Sequence, residues 1–413
     1  MEIRPANPEE MGRLAALTGY VYGGSFGDGP EAAAGSGIRP EWTLCAFDGE
    51  RMAACYSTIP FTMRAAGRAM ALGGVSTVGT MPQYRRRGLV RSFTERSFVE
   101  MFETGRPVAA LWASQAAIYQ RYGYSRAGAL RQYSIDTVDI AFHDGDPGLG
   151  DVALHDPETG YPVAKAVYAD FVADRMCYLH RAKPVWDMNA FAHRPEDGPV
   201  HVAVSHDGDG RPNGYAVYTL RSGRVEHPAR GQELVVRDLA WLDLDGYRSL
   251  WSWFARHDLV GRVRWDTAPL DDPAPELLTE PRLLNIVDRE GIWFRVIHAE
   301  AALAGRGYAG SGSVTIEVAD DPLAPWNPGT YRLQVDDGEP SVSSGNAARR
   351  TGEGAAHTGT LTLTPKALAS LFTGSVSART LARWGLVDGE PSAVAAADAL
   401  FALSTAPGCP DHF

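Results

Sequence analysis

The segment Val75-Ser76-Thr77-Val78-Gly79-Thr80-Met81-Pro82-Gln83-Tyr84-Arg85-Arg86-Arg87-Gly88-Leu89-Val90 narrows the possible folds more than any other stretch of the chain. An extended run over 72–80 enters a short turn with three consecutive arginines. A helical pattern then runs from Gly88 to about residue 104, with Val90, Phe93, Ser97 and Met101 on one face and Gly105 placed as its C-cap. A strand that feeds a helix in this way leaves the unpaired amides of the first helical turn facing the turn itself. The helix dipole adds partial positive charge there, and the arginines add full charges. Gly88 lets a ligand approach the backbone with no Cβ in the way. A solvated basic turn would use the same residues, but the anion that best suits this arrangement is a pyrophosphate.

The flanking sequence completes an α/β pattern. Asn7-Pro8-Glu9-Glu10 is a helix start, with Asn7 as N-cap, Pro8 in the first turn and Glu10 able to reach back, and the helix should run to about Tyr20. Strands over 42–47 and 52–63 flank Asp48-Gly49 as a hairpin. The glycines at 73, 74 and 79 permit a bulge or a close backbone approach within the next strand. A short apolar run at 108–112 reads as a strand covered on both faces, and a short helix follows over 116–122. The Asp, Gly and Pro-rich stretch 143–161 suggests a domain boundary. Beyond it the pattern partly repeats: 201–204, the turn 207–210, 215–220, 234–242 and a helix over 247–257. A strand at 292–297, further strands at 313–318, 330–335 and 360–364, and an Ala/Leu-rich helical tail over 365–403 suggest a third, α+β domain. The polar stretch 341–359 reads as a hairpin excursion or a mobile loop.

Arg85-x-x-Gly88-x-Val90 resembles the R/Q-x-x-G-x-G/A signature of the GCN5-related N-acetyltransferases, the GNAT superfamily, with Val90 in place of the small residue. Ser114 and Ile118-Tyr119-Gln120-Arg121-Tyr122-Gly123-Tyr124 resemble the superfamily's N-x-x-x-x-x-Y-x-x-x-G-F segment. Within the superfamily the whole chain resembles the Eis (enhanced intracellular survival) N-acetyltransferases, which acetylate aminoglycosides and other polyamine-like or lysine-bearing amines. The fold class this implies is α/β (α+β): two tandem GNAT-like mixed-sheet domains and a sterol-carrier-protein-like α+β domain. The expected limits are 1–147 for the catalytic domain, 148–290 for a central domain without the CoA motif, and 291–413 for the third. The central turn Asp243-Leu244-Asp245-Gly246-Tyr247 fits, being acidic where a pyrophosphate needs donors.

The resemblance also implies roles, with acetyl-CoA as co-substrate. Val78 and Thr80 would offer backbone groups to the pantetheine arm. Arg85, Arg86, Gly88 and Leu89 would hold the pyrophosphate, and Ser114 would bond the arm near the thioester. Tyr119 would be the general acid. Phe413, the last residue, would supply its terminal carboxylate as the base, as in the Eis-like enzymes. An isolated α-carboxyl has a pKa of roughly 3.5, so that task needs desolvation or a water relay. Phe26 and Asp28, in Ser25-Phe26-Gly27-Asp28, and Trp112 would line the amine pocket. Asp411 and His412 stand where the family carries an acidic penultimate residue. A homohexamer is the assembly the resemblance implies.

Composition sharpens these expectations. The formal net charge of −11 argues against a nucleic-acid partner and favours attraction of polyamine-like cations. No apolar run is long enough to span a bilayer, and residues 1–5 lack a signal-peptide pattern, so a cytoplasmic protein is expected. Cys45, Cys55, Cys177 and Cys409 form no zinc-type spacing and read as reduced thiols, with no metal site. Two other functions fit the same sequence: acetylation of a protein lysine or a biosynthetic amine, and non-enzymatic sensing of acyl-CoA or a lipid.

Overall fold

The computed structural model describes residues 1–24, 37–145, 148–194, 197–345 and 359–413. The chain forms two compact units. The first comprises Met1–Ala127, Ile292–Leu403 and Phe413, and the second Gly128–Gly291 with Ser404–His412.

In the first unit a mixed sheet runs in the order Glu2–Arg4, Thr43–Asp48, Arg51–Ala65, Arg68–Thr80, Val108–Leu111, Trp293–Val296, Ser125–Arg126. The hairpin turns where expected, with Gly49 at φ +59°. The capping box forms as read. Asn7 Oδ1 accepts from the Glu10 amide at 3.0 Å, and Glu10 Oε2 accepts from the Asn7 amide at 2.9 Å. It opens a 3-10 turn that leads into the helix Met11–Tyr22. That helix covers one face of the sheet, packing with Cys45, Cys55, Ile59 and Phe61. The helix Leu89–Glu103 covers the other, where Phe93, Phe98 and Met101 meet Tyr119, Tyr124, Trp293 and Ile297.

The strand Trp293–Val296 departs from expectation. It does not open a third domain's sheet but inserts antiparallel between Val108–Leu111 and Ser125–Arg126. All four of its residues are buried, and a strand covered on both faces is at its most stable with ladder partners on both edges. The unit's other sheet runs Glu339–Ser344, Gly329–Asp336, Gly312–Val318, Thr360–Leu363, Val387–Gly389, with helices Pro365–Phe372, Ala378–Arg383 and Pro391–Phe401. The buried Arg306 donates to the carbonyls of Phe372 and Phe401 at 2.8 and 2.9 Å, so one cation caps the ends of two helices.

In the second unit the sheet order is Val287–Glu290, Ala129–Asp136, Val260–Pro269, Gln232–Trp241, Pro212–Arg221, Val200–His206, Asp151–His155. This corrects the expected boundary at 147. Ala129–Asp136 pairs with Val260–Pro269, placing Tyr133 opposite Trp265, and buries Leu130, Tyr133 and Ile135. The unit therefore begins at Gly128. The stretch near 143–161 holds the strand Asp151–His155 and the start of the helix Pro157–Phe171, both inside this unit. The repeated strand pattern is present, followed by the helix Leu244–Ala255.

Candidate active site

The site is built on the strand Arg68–Thr80. One edge pairs with Arg51–Ala65, with a register shift between Cys55 and Ser57 and Thr77 at φ +49°. The other edge pairs in parallel with Val108–Leu111, but only from Leu72 to Val75. Past Val75 the two strands part, and among the described residues no strand pairs with 76–80 on that side. A strand edge released from its ladder presents backbone amides and carbonyls that an extended, amide-bearing ligand can satisfy. Val78 and Thr80 lie on this stretch. Thr80 Oγ1 is buried with no hydrogen-bond partner among the described residues, as expected of a group that a ligand completes.

Beyond Thr80 the chain makes a single 3-10 turn, Pro82–Tyr84, anchored by the buried Tyr84, whose hydroxyl donates to Asp48 Oδ2 at 2.7 Å. Arg86 adopts φ +62° and Gly88 φ +77°, so the chain turns sharply before the helix begins. Gly88 is the N-cap of Leu89–Glu103, with no side chain capping it, and a Cβ there would meet nothing within 4 Å. The first-turn amides of this long helix thus remain available. Arg85, Arg86 and Arg87 are exposed, and Leu89 is buried in the core beneath. This chemistry fits a pyrophosphate: open amides, a dipole and exposed cations, with no carboxylate capping the helix.

Tyr119 lies on the short helix Ala116–Gln120 and is 5% exposed, edge-on to Tyr124 at 5.9 Å. Burial, reinforced by the neighbouring Tyr22, Tyr56 and Tyr122, pushes its phenol above the usual tyrosine range, so it keeps its proton at neutral pH. Tyr22, at the end of Met11–Tyr22, donates to the Val78 carbonyl at 3.0 Å. Ser114 is exposed and Trp112 is half-buried. Tyr22 thus ties the end of the first helix to the released strand. Sequence motifs pass over it, because only the packing of the first helix brings it there. Phe26 and Asp28 lie outside the described residues.

Phe413 meets the same strand. Its ring packs on Phe61 with centroids 4.9 Å apart, and a Cβ on Gly74 would fall 2.9 Å from Phe413 Cε2 and 2.5 Å from Phe61. Gly74 therefore leaves the space these rings use, just before the strand pairing ends. The close approach at Gly74 is one of aromatic rings, whereas at Gly73 a Cβ would fall 2.3 Å from Met101 Sδ.

In the second unit the strand Gln232–Trp241 likewise pairs in parallel with Val260–Pro269 only as far as Val236. Its helix is closed, however. Asp243 Oδ1 accepts from the Gly246 amide at 2.8 Å and from Asn213 Nδ2 at 3.0 Å, and a Cβ on Gly246 would fall 2.7 Å from the Asn213 carbonyl. An aspartate already caps the amides that a phosphate would use. Among the described residues no group of three or more metal-ligating side chains occurs, and no helix is long and apolar enough to cross a membrane.

Residues 2–127 and 177–301 each match a model of an acetyltransferase (GNAT) domain, and 299–410 match a sterol carrier protein domain. An uncharacterised N-acetyltransferase of Streptomyces coelicolor is 30% identical over 377 residues, covering 89% of this chain and 87% of that protein. N-acetyltransferase Eis of Mycobacterium tuberculosis is 30% identical over 319 residues, covering 75% and 72%. The crystal structure of Eis1 from Mycobacterium abscessus superposes with a TM-score of 0.81 at 26% identity, covering all of both chains. Matched at this identity along most of their length, the chain belongs with these relatives: it is an Eis-type N-acetyltransferase of the GNAT superfamily, with acetyl-CoA as its co-substrate.

Proposed function

We propose that this enzyme acetylates primary amines of polycationic acceptors such as aminoglycosides, by direct transfer, with Tyr119 as general acid and the Phe413 carboxylate as general base. The observation that supports the proposal is that one strand both seats the ring of Phe413, at Gly74, and leads through its released edge at 76–80 to the arginine turn. The net charge of −11 favours cationic acceptors.

In the proposed division, the first domain holds both substrates, the central domain binds no CoA and the third leads to the terminal carboxylate. Val78 and Thr80 bond the pantetheine arm, Ser114 bonds it near the thioester, and Arg85, Arg86, Gly88 and Leu89 hold the pyrophosphate. Trp112, Phe26 and Asp28 receive the acceptor. An acceptor ammonium gives one proton to the Phe413 carboxylate, directly or through water. The freed nitrogen lone pair attacks the thioester carbonyl carbon, and an amide near Val78 stabilises the oxyanion. The carbon–sulfur bond breaks and the thiolate takes the Tyr119 proton, while the second proton of the adduct nitrogen passes through water to the Tyr119 phenolate, which leaves a neutral amide and restores the acid. The site is assigned to a homohexamer in the cytoplasm.

Acetyl-CoA-dependent thiol release with an aminoglycoside, a polyamine, a lysine peptide and a small monoamine tests this reading. Release with the polycationic members, and mass gains of whole acetyl groups, is expected. Release confined to the lysine peptide or the monoamine would overturn the acceptor class. Full activity in a protein extended beyond Phe413 would remove the terminal base.

A further inference from the structure

The segment Ser404–His412 has no helix or strand, yet Gly408, Cys409 and Asp411 are buried in the second unit. Terminal segments fray unless something holds them, because ordering each residue costs conformational entropy. Here the hold is ionic. Arg181 is 7% exposed, and its Nε lies 2.9 Å from Asp411 Oδ1. Its two terminal nitrogens grip Asp238 at 2.5 and 3.1 Å, and its guanidinium lies 3.9 Å from the centre of the Tyr168 ring. Tyr215 donates to the same Asp238 at 2.5 Å. Two buried carboxylates on one buried arginine persist only when geometry and added hydrogen bonds compensate for desolvation, which makes this group sensitive to position. Asn189 adds a backbone clasp, donating to the His412 carbonyl at 3.1 Å and accepting from its amide at 2.9 Å.

The location of the hold carries the argument. Asp238 lies just past Val236, where its strand parts from Val260–Pro269. Asp271, just past the end of that neighbouring strand, accepts from the Ala406 amide at 3.3 Å. In the first domain the corresponding stretch of the parted strand leads to the co-substrate turn. We propose that the second domain, its own turn closed by Asp243, uses this end of its sheet as a clamp for the chain's last segment. In that clamp Arg181, Asp238 and Asn189 are positioning residues that set where the carboxylate of the next residue, Phe413, comes to rest. This inference rests on the reading of Phe413 as the base.

The test combines Asn189→Ala and Asp411→Asn with one glycine added after Phe413, in the full-length enzyme. Asn189 is half-buried, so its variant keeps the fold even if Arg181→Met does not. Hydrogen exchange of the Gly408 and His412 amides should quicken in Asn189→Ala, with the melting temperature nearly unchanged. Turnover should fall about tenfold or more, the scale of a small misplacement of a reacting group, with the KM for acetyl-CoA unmoved. In the glycine-extended protein, adding Asn189→Ala should cost no further turnover, because both changes act through one carboxylate. Normal turnover in both point variants beside an inactive extended protein would overturn the clamp and leave the base intact. An active extended protein would instead overturn the base reading itself, and the positioning role with it.

Discussion

The two GNAT-like domains run the same local path, a parallel-paired strand released at its end and then a helix, yet they put opposite chemistry at the junction. In the first, residues 81–88 intervene between Thr80 and Leu89, and the helix starts at a left-handed glycine with no side-chain cap. In the second, only Leu242 and Asp243 stand between Trp241 and Leu244, and Asp243 takes the Gly246 amide for itself. On the proposed reading, in which the second domain binds no CoA, a copy of a site is closed with its sheet and helix unchanged. The turn is shorter and an N-cap carboxylate reaches the amides, and a capped helix end has fewer donors to offer and repels a phosphate.

The comparison is broken most directly at Tyr119, since it assigns all acyl transfer to the first domain. Tyr119→Phe should reduce turnover about a hundredfold or more, the usual range for a lost general acid, with little change in either KM, measured by thiol release. Turnover within a few-fold of the parent would move the acid elsewhere. Next in size is Gly74→Ala, which places a methyl group 2.5 Å from Phe61 and 2.9 Å from Phe413. Overpacking of this kind costs about 1–3 kcal/mol, and a lower melting temperature accompanied by lost turnover is expected. Unchanged activity at lower stability would show that the Phe413 ring can shift without moving the base.

The arginine turn sharpens the comparison more gently. Arg85→Ala with Arg86→Ala should weaken acetyl-CoA binding about tenfold at low salt, and less as salt screens the exposed charges. Titration calorimetry at two ionic strengths checks this, and unaltered affinity would place the pyrophosphate away from the turn.

What was legible in the sequence follows from how local each signal is. The Asn7 and Glu10 box and the turn at Gly49 are set by a few adjacent residues and form as read, and the helix expected to cap at Gly105 caps one residue earlier, at Thr104, with Gly105 following at φ +70°. The arginine turn and Tyr119 carry motif spacing as well, which is why they could be placed. Ala129–Asp136 and Trp293–Val296 could not, because their partners lie far along the chain and nothing in a short strand names a distant partner. The same holds for Tyr22, whose bond to Val78 depends on helix packing, and for the group of Arg181, Asp238 and Asp411. Tyr84 sat inside the quoted motif, yet its role as an anchor appears only through its bond to Asp48.

The smallest expected effect tests the closed turn itself. Asp243→Ala removes the acceptor for the Gly246 amide and strands the Asn213 amide group that also bonded it. Loss of an N-cap costs about 1 kcal/mol, so a modest drop in the stability of the second unit is expected in denaturant unfolding. Uncapping alone should not restore a co-substrate site. The turn still lacks the three cations and the added length of residues 81–88, so CoA should bind with unchanged affinity and with one site per chain. A second stoichiometric site in Asp243→Ala would show that the cap by itself had silenced this domain, and that turn length and arginines count for less than the comparison claims.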